Sequence, residues 1–204
     1  MGKSKIVAVT ALLVFAVQPG EAAHLNPNHS DIHGPLSLGE FVVNCCGNST
    51  AVAQFATQPY KGTGVQLQVT QPTACEGAFA ETGIQNINGV QLQKKLTFAM
   101  SGLNDGPIPT ANFSVNVSWT DPHGRSASGV FTVANGGLIS TDQGTRFTLV
   151  TGTGHGRIPP GSTLNEVDFE LTSTQTAFIQ DVKVDRTPVH LDLTTATASC
   201  SNGS

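Results

Sequence analysis

Beyond residue 35, apolar and polar residues alternate with a period of two along most of the chain. Leu36 and Leu38 share one face. The alternation breaks at Gly39-Glu40 and resumes with Phe41 and Val43, which predicts a β-bulge at the break. Val65, Leu67 and Val69 alternate with Gln66, Gln68 and Thr70, and Leu96, Phe98 and Met100 alternate with Thr97 and Ala99. The clearest run is Phe113, Val115, Val117 and Trp119 against Ser114, Asn116 and Ser118. Phe147 and Leu149, then Val167, Phe169 and Leu171, then Val189, Leu191 and Leu193 repeat the pattern. Between the last two groups, Ala177 to Asp185 reads as a further strand. Each run is a strand with one wet and one buried face.

Turn chemistry separates these runs. Asp121-Pro122-His123-Gly124 has Pro second and Gly fourth, as a type I turn prefers. Asn104-Asp105-Gly106 and Asn135-Gly136-Gly137 are further turn signals. No segment after the leader shows a sustained helical period. Sheets with one apolar face bury it against each other, so the pattern predicts an all-β jelly-roll sandwich of about eight or nine antiparallel strands.

The N-terminus reads differently. Lys3 and Lys5 precede an apolar run from Ile6 to Val17, followed by Gln18-Pro19-Gly20-Glu21-Ala22-Ala23. This is the layout of a secretory signal peptide, and the run is shorter than the roughly 20 residues of a membrane span. We expect a signal peptide over 1–22, an irregular lead-in over 23–35, the sandwich over 36–193 and a polar tail over 194–204. The mature protein is then secreted, with no membrane span. His24, His29 and His33 in the lead-in lack the spacing of a copper brace and read as solvated side chains.

The chain carries a net charge of −4, and the mature part 8 basic against 13 acidic residues. That balance argues against a nucleic-acid partner. The four cysteines, Cys45, Cys46, Cys75 and Cys200, all lie in the mature part and predict disulfides. A bridge between neighbours would strain one peptide unit, so Cys45 and Cys46 are expected to pair with Cys75 and Cys200, in either order. The Cys45-Cys46 pair lacks the spacing of a zinc knuckle. Sequons at Asn28, Asn48, Asn112, Asn116 and Asn202 would accept glycans in a eukaryotic secretory route.

Several segments follow one another in a familiar order. Gly39-Glu40-Phe41 opens the series, and Lys61-Gly62-Thr63-Gly64-Val65-Gln66-Leu67-Gln68-Val69 continues it. Ile84 to Gly89, Leu96-Thr97-Phe98 and the late strand Ala177 to Asp185 complete it. Together they resemble the galactose-binding-like jelly rolls, a fold shared by carbohydrate-binding modules of secreted hydrolases. The resemblance implies a non-catalytic carbohydrate-binding protein, with a glycan or a cell-surface or matrix component as partner, acting as a monomer. It also implies one structural calcium ion near the first and last strands, where Glu40 and Asp181 fall at matching places. The alternative is a structural or adhesive surface protein without a small-ligand site.

Glycan sites usually offer an aromatic ring to a sugar's apolar face. The chain has one Trp and one Tyr, Trp119 and Tyr60. Trp119 is in phase with buried positions, so it reads as a core residue at the end of its strand. A glycan site built on a loop would use Tyr60 and Trp119 with Asp121, His123 and Arg125 at the neighbouring hairpin tip. Catalysis is not expected. Gly124-Arg125-Ser126-Ala127-Ser128-Gly129 lacks the second glycine of a nucleophile elbow and lies in a hairpin. No helix follows Gly152-Thr153-Gly154-His155-Gly156 to receive a phosphate.

Overall fold

Every second side chain of the long strands points into one shared interior, and that alternation builds the molecule. The computed structural model describes residues 34–59, 61–70, 77–141, 144–154 and 156–201. Its first strands are β1 (Ser37–Asn44), β2 (Thr50–Gln58), β3 (Gly62–Thr70), β4 (Phe79–Gln85) and β5 (Val90–Leu92). Then come β6 (Lys95–Ser101), β7 (Phe113–Thr120), β8 (Ser126–Phe131), β9 (Ile139–Thr141) and β10 (Arg146–Val150). The last are β11 (Ser162–Leu171), β12 (Gln175–Val184), β13 (Thr187–Pro188), β14 (His190–Leu191) and β15 (Ala198–Ser201).

They form two sheets. Sheet I runs β14-β1-β4-β11-β7-β8, with β5 also on β11. Sheet II runs β15-β2-β3-β12-β6-β10-β9, with β13 also on β12. Past β3 the chain crosses between sheets at almost every long strand, which is jelly-roll connectivity. The expected all-β sandwich is therefore what the chain forms. Among the described residues ten strands run five residues or longer, and five shorter ones extend the sheets. One pair departs from the antiparallel expectation: β14 lies parallel to β1.

Phenylalanines tie the two sheets together. Phe98 of sheet II lies 5.1 Å from Phe169 and 5.7 Å from Phe113 of sheet I, and stacks 5.4 Å from Phe147 of its own sheet. All four are almost fully buried. Rings meeting edge-on or offset add to their area burial, because a positive edge faces a negative ring face.

The predicted bulge is present. The β1–β4 register shifts between Gly39 and Phe41, and Glu40 takes a φ of 55°. The Thr82 hydroxyl donates to the Gly39 carbonyl at 2.9 Å, so the disrupted ladder leaves that oxygen satisfied. A second bulge, between Gln180 and Lys183, puts Asp181 at φ 51°. The Asp121-Pro122-His123-Gly124 turn forms as predicted, with the Gly124 amide donating to the Asp121 carbonyl at 2.9 Å.

The last alternating run differs from its reading. Val189 is buried, but Leu193 is 66% exposed and lies beyond β14. The polar tail differs too. Residues 198–201 form β15 on the edge of β2, so the sandwich extends past residue 193.

The reason lies in the cysteines. Cys45, just after β1, is bridged to Cys200 in β15, which fastens the edge of sheet I to the edge of sheet II. Cys46 is disulfide-bonded as well, and Cys75 lies outside the described residues. The Cys45–Cys200 bridge closes a separation of 155 residues. So long a loop gains much entropy when freed, so Cys45→Ala with Cys200→Ala should destabilise the fold by about 2–5 kcal/mol. Denaturant unfolding of the double variant measures this, and peptide mapping without reduction should join Cys46 to Cys75.

Candidate functional site

A groove of about 1130 Å³ crosses the outer face of sheet II. Its floor is built by the outward residues of three adjacent strands, β10, β6 and β12. Thr148, Thr97 and Lys183 stand opposite one another and form one row. Two residues along β6 in one direction, Lys95 faces Val150; two in the other, Arg146 faces Ala99. Each of these three rows therefore presents one cation. Lys94, Arg186, Gln93, Thr141 and Thr187 complete the walls.

Asp185 organises one end of the groove. It sits at φ 55°, just past β12. Its carboxylate accepts the backbone amides of Gln93 at 2.8 Å, Lys94 at 2.8 Å and Lys95 at 2.9 Å. Both oxygens are engaged, and three consecutive residues are held in one conformation. Arg146 lies 3.8 Å from Asp181 at the other end. Lys94, Lys95, Lys183 and Arg186 have no ion-pair partner among the described residues.

The outer face of sheet I carries the opposite charge. Glu81 on β4 and Glu166, Asp168 and Glu170 on β11 point outward there. Glu40 joins them through its bulge. A Cβ on Gly83 would stand 2.8 Å from Asp168 Oδ1 and 3.4 Å from Glu40 Oε2, so the two carboxylates crowd over a bare glycine. Burial pushes the Asp168 carboxyl up to about 7, helped by the charges of Glu81, Glu166, Glu40 and Glu170. Glu81 is raised for the same reasons, burial first. Asn116 Nδ2 donates to Glu170 at 2.6 Å.

Glu40 and Asp181, the expected calcium ligands, are not brought together. β1 lies between β14 and β4 in sheet I, whereas β12 lies between β3 and β6 in sheet II. Asp181 faces Arg146, and Glu40 faces Asp168. Among the described residues no group of three or more His, Cys, Asp or Glu side chains is arranged to hold a metal ion. The pair does not fit a calcium site.

The hairpin residues take structural places. Trp119 is 6% exposed and packs 6.2 Å from Phe131, as its phase on β7 predicts. Its remaining edge lines a cleft with Phe131 and Arg157, two residues that the sequence reading did not single out. Asp121 accepts the amides of Arg125 and His123 at 2.9 and 2.8 Å and pairs with the Arg125 guanidinium at 2.7 Å. These bonds, the Arg125 amide foremost, hold its carboxyl below the usual carboxylate range. Asp121 thus staples the hairpin, while His123 and Arg125 stand exposed at its tip. Tyr60 lies outside the described residues.

Comparison with known proteins adds two distant likenesses. No family model and no curated protein matches the chain. Among solved structures, it is similar to a family 30 carbohydrate binding module at 13% identity, covering 74% of this chain and 92% of that one, with a TM-score of 0.41. It is also similar to the enzymatically active domain of bacteriophage CBA120 tailspike protein 4, at 16% identity and a TM-score of 0.37. That match covers 72% of this chain and spans only 18% of the tailspike chain.

The acidic face has a measurable consequence. A carboxyl raised on folding binds more protons in the native state than in the unfolded chain. Its favourable contribution is complete below the unfolded value of 3.8 and is lost as pH rises through about 7. Asp168→Asn removes the charge that the fold disfavours. At about pH 8 the variant should be more stable than the parent by about 1 kcal/mol, a figure reduced for the half-exposed site. The gain should shrink as pH falls through about 7 and vanish only below the unfolded value of 3.8, where the carboxyl of the parent is protonated in both states. Denaturant titrations at the two ends of that range read the difference.

Proposed function

We propose that this chain is a secreted, non-catalytic carbohydrate-binding protein that holds a glycan along the groove of sheet II. The observation that carries the reading is the groove's lining. It is open, spans three strands, and offers ammonium, guanidinium, hydroxyl and amide groups together. A glycan presents a dense array of hydroxyl oxygens, and such a surface supplies matching donors and acceptors.

The same lining speaks for binding without hydrolysis. Glycoside cleavage uses two carboxyl groups flanking the bond, one of them free to give a proton. Among the described residues Asp185 is the one carboxylate in the groove wall, and its two oxygens already accept three backbone amides. Secretion is supported by the disulfides, which persist in oxidising compartments. No helix among the described residues is long and apolar enough to cross a membrane.

A second reading, a structural or adhesive surface protein, is favoured by the separation of charge between the two sheets. Acidic sheet I of one copy could meet basic sheet II of the next, a head-to-tail contact that builds open chains. A glycan array on the mature protein, with sedimentation at low salt, decides between them. Glycan binding by a monomer is the expected result. Salt-sensitive polymers that bind no glycan would replace the first reading with the second.

A further inference from the structure

We infer that the ligand of the sheet II groove is an anionic polysaccharide, one that carries carboxylate or sulfate groups at intervals along its chain. The inference rests on the reading of this groove as a glycan site and names the class of glycan. It starts from an imbalance. The chain holds 10 Lys and Arg and is acidic overall, yet five of the ten line this one groove. Among the described residues, Asp185 in the wall and Asp181 at the edge are the carboxylates that stand against Lys94, Lys95, Arg146, Lys183 and Arg186. The groove is therefore net positive, in a protein whose opposite face collects carboxylates.

Gathering like charges disfavours the free protein, because each cation raises the potential felt by the others. A fold that only needed a solvated surface would disperse them, or intersperse the acids that it has. Four of the five instead lack an ion-pair partner among the described residues. A ligand anion would remove that repulsion and form charge-assisted hydrogen bonds, about twice as strong as neutral ones.

The lining also says what the groove cannot use. None of the described residues that line it carries an aromatic ring. A neutral glycan would find no face to stack on and would gain only hydrogen bonds exchanged with water, about 1 kcal/mol each. Single-stranded nucleic acid, the other common polyanion, gains much of its affinity by stacking bases on aromatic side chains, which are missing here. What remains is recognition of charge at a repeat. Lys95, Lys183 and Arg146 occupy successive rows, and rows two residues apart lie about 7 Å apart along a strand. That ladder suits a linear polymer with regularly spaced anions.

The test uses the mature protein in affinity electrophoresis and calorimetry. The probes are polygalacturonate, heparin, neutral dextran and an oligothymidylate. We expect binding to at least one of the two anionic polysaccharides and at least tenfold weaker binding to dextran and to the oligonucleotide. If all five cations engage, affinity for the anionic probe should fall about 100-fold between about 50 and 200 mM salt, the counterion-release behaviour of single-stranded polyelectrolytes. Lys95→Gln with Lys183→Gln should lose at least tenfold and leave the melting temperature unchanged. Arg157→Gln, in the cleft beside Trp119 and outside the groove, should bind like the parent. Binding of dextran as tight as that of the anionic probes, with no salt dependence, would overturn the inference and leave the glycan reading standing. Oligothymidylate bound as tightly as either polysaccharide would overturn it in favour of a nucleic acid. Failure of every polysaccharide to bind would remove the inference and the proposed function together.

Discussion

The clasp of Phe98 against Phe169 and Phe113 is the contact on which the rest depends. It presses the inner faces of the two sheets together and so decides which side of every strand is dry. Once Phe98 points inward, Lys95, Thr97 and Ala99 on the same strand lie outward or at the strand's ends, because the pleat has a period of two. The same holds for Phe147 with Arg146 and Thr148, and for Phe169 with Asp168 and Glu170. The charged faces are thus consequences of the core. A register slip of one residue in β6 or β11 would bury charges and expose phenylalanines, which makes the register strongly specified.

Most of the fold was legible because the core uses large residues in strict alternation. Where the core uses small ones the signal fades. β2 buries Ala51 and Ala53 completely, yet its alternation is muted and the sequence reading passed over it. The short strands β13 and β15 hold too few residues to show any period, and β15 owes its place partly to the Cys200 bridge. The bulge at Gly39-Glu40 was readable because a glycine followed by an acidic residue interrupts an apolar phase. Its counterpart at Asp181 carries no glycine and lies inside an unbroken-looking run.

The site was much less legible, and the cause is topological. The cations of the groove come from residues 94–95, 146, 183 and 186, and no window of sequence contains them all. Only the order β12-β6-β10, which is not the order of the chain, lays them side by side. Net charge hides them further, since it sums over both faces. The acidic total argues against a nucleic-acid partner for the chain as a whole, but it sums over a basic sheet face and an acidic one. Glu40 and Asp181 illustrate the converse error. Both belong to bulged strands near the ends of the domain, but proximity to an end does not say which sheet a strand joins.

Two acidic residues show how the charge separation is kept. Asp185 and Asp121 could each neutralise part of a cationic surface. Asp185 instead turns its oxygens onto three backbone amides, and Asp121 turns one onto the amides of its own hairpin and the other onto Arg125. Backbone amides satisfy a carboxylate's hydrogen bonds without drawing a lysine across to it. In the groove this leaves the ammonium groups of Lys94 and Lys95 pointed outward by the very turn that Asp185 holds in place. The carboxylate that would weaken anion binding if it were mobile serves instead to fix the positions of the groups that would do the binding.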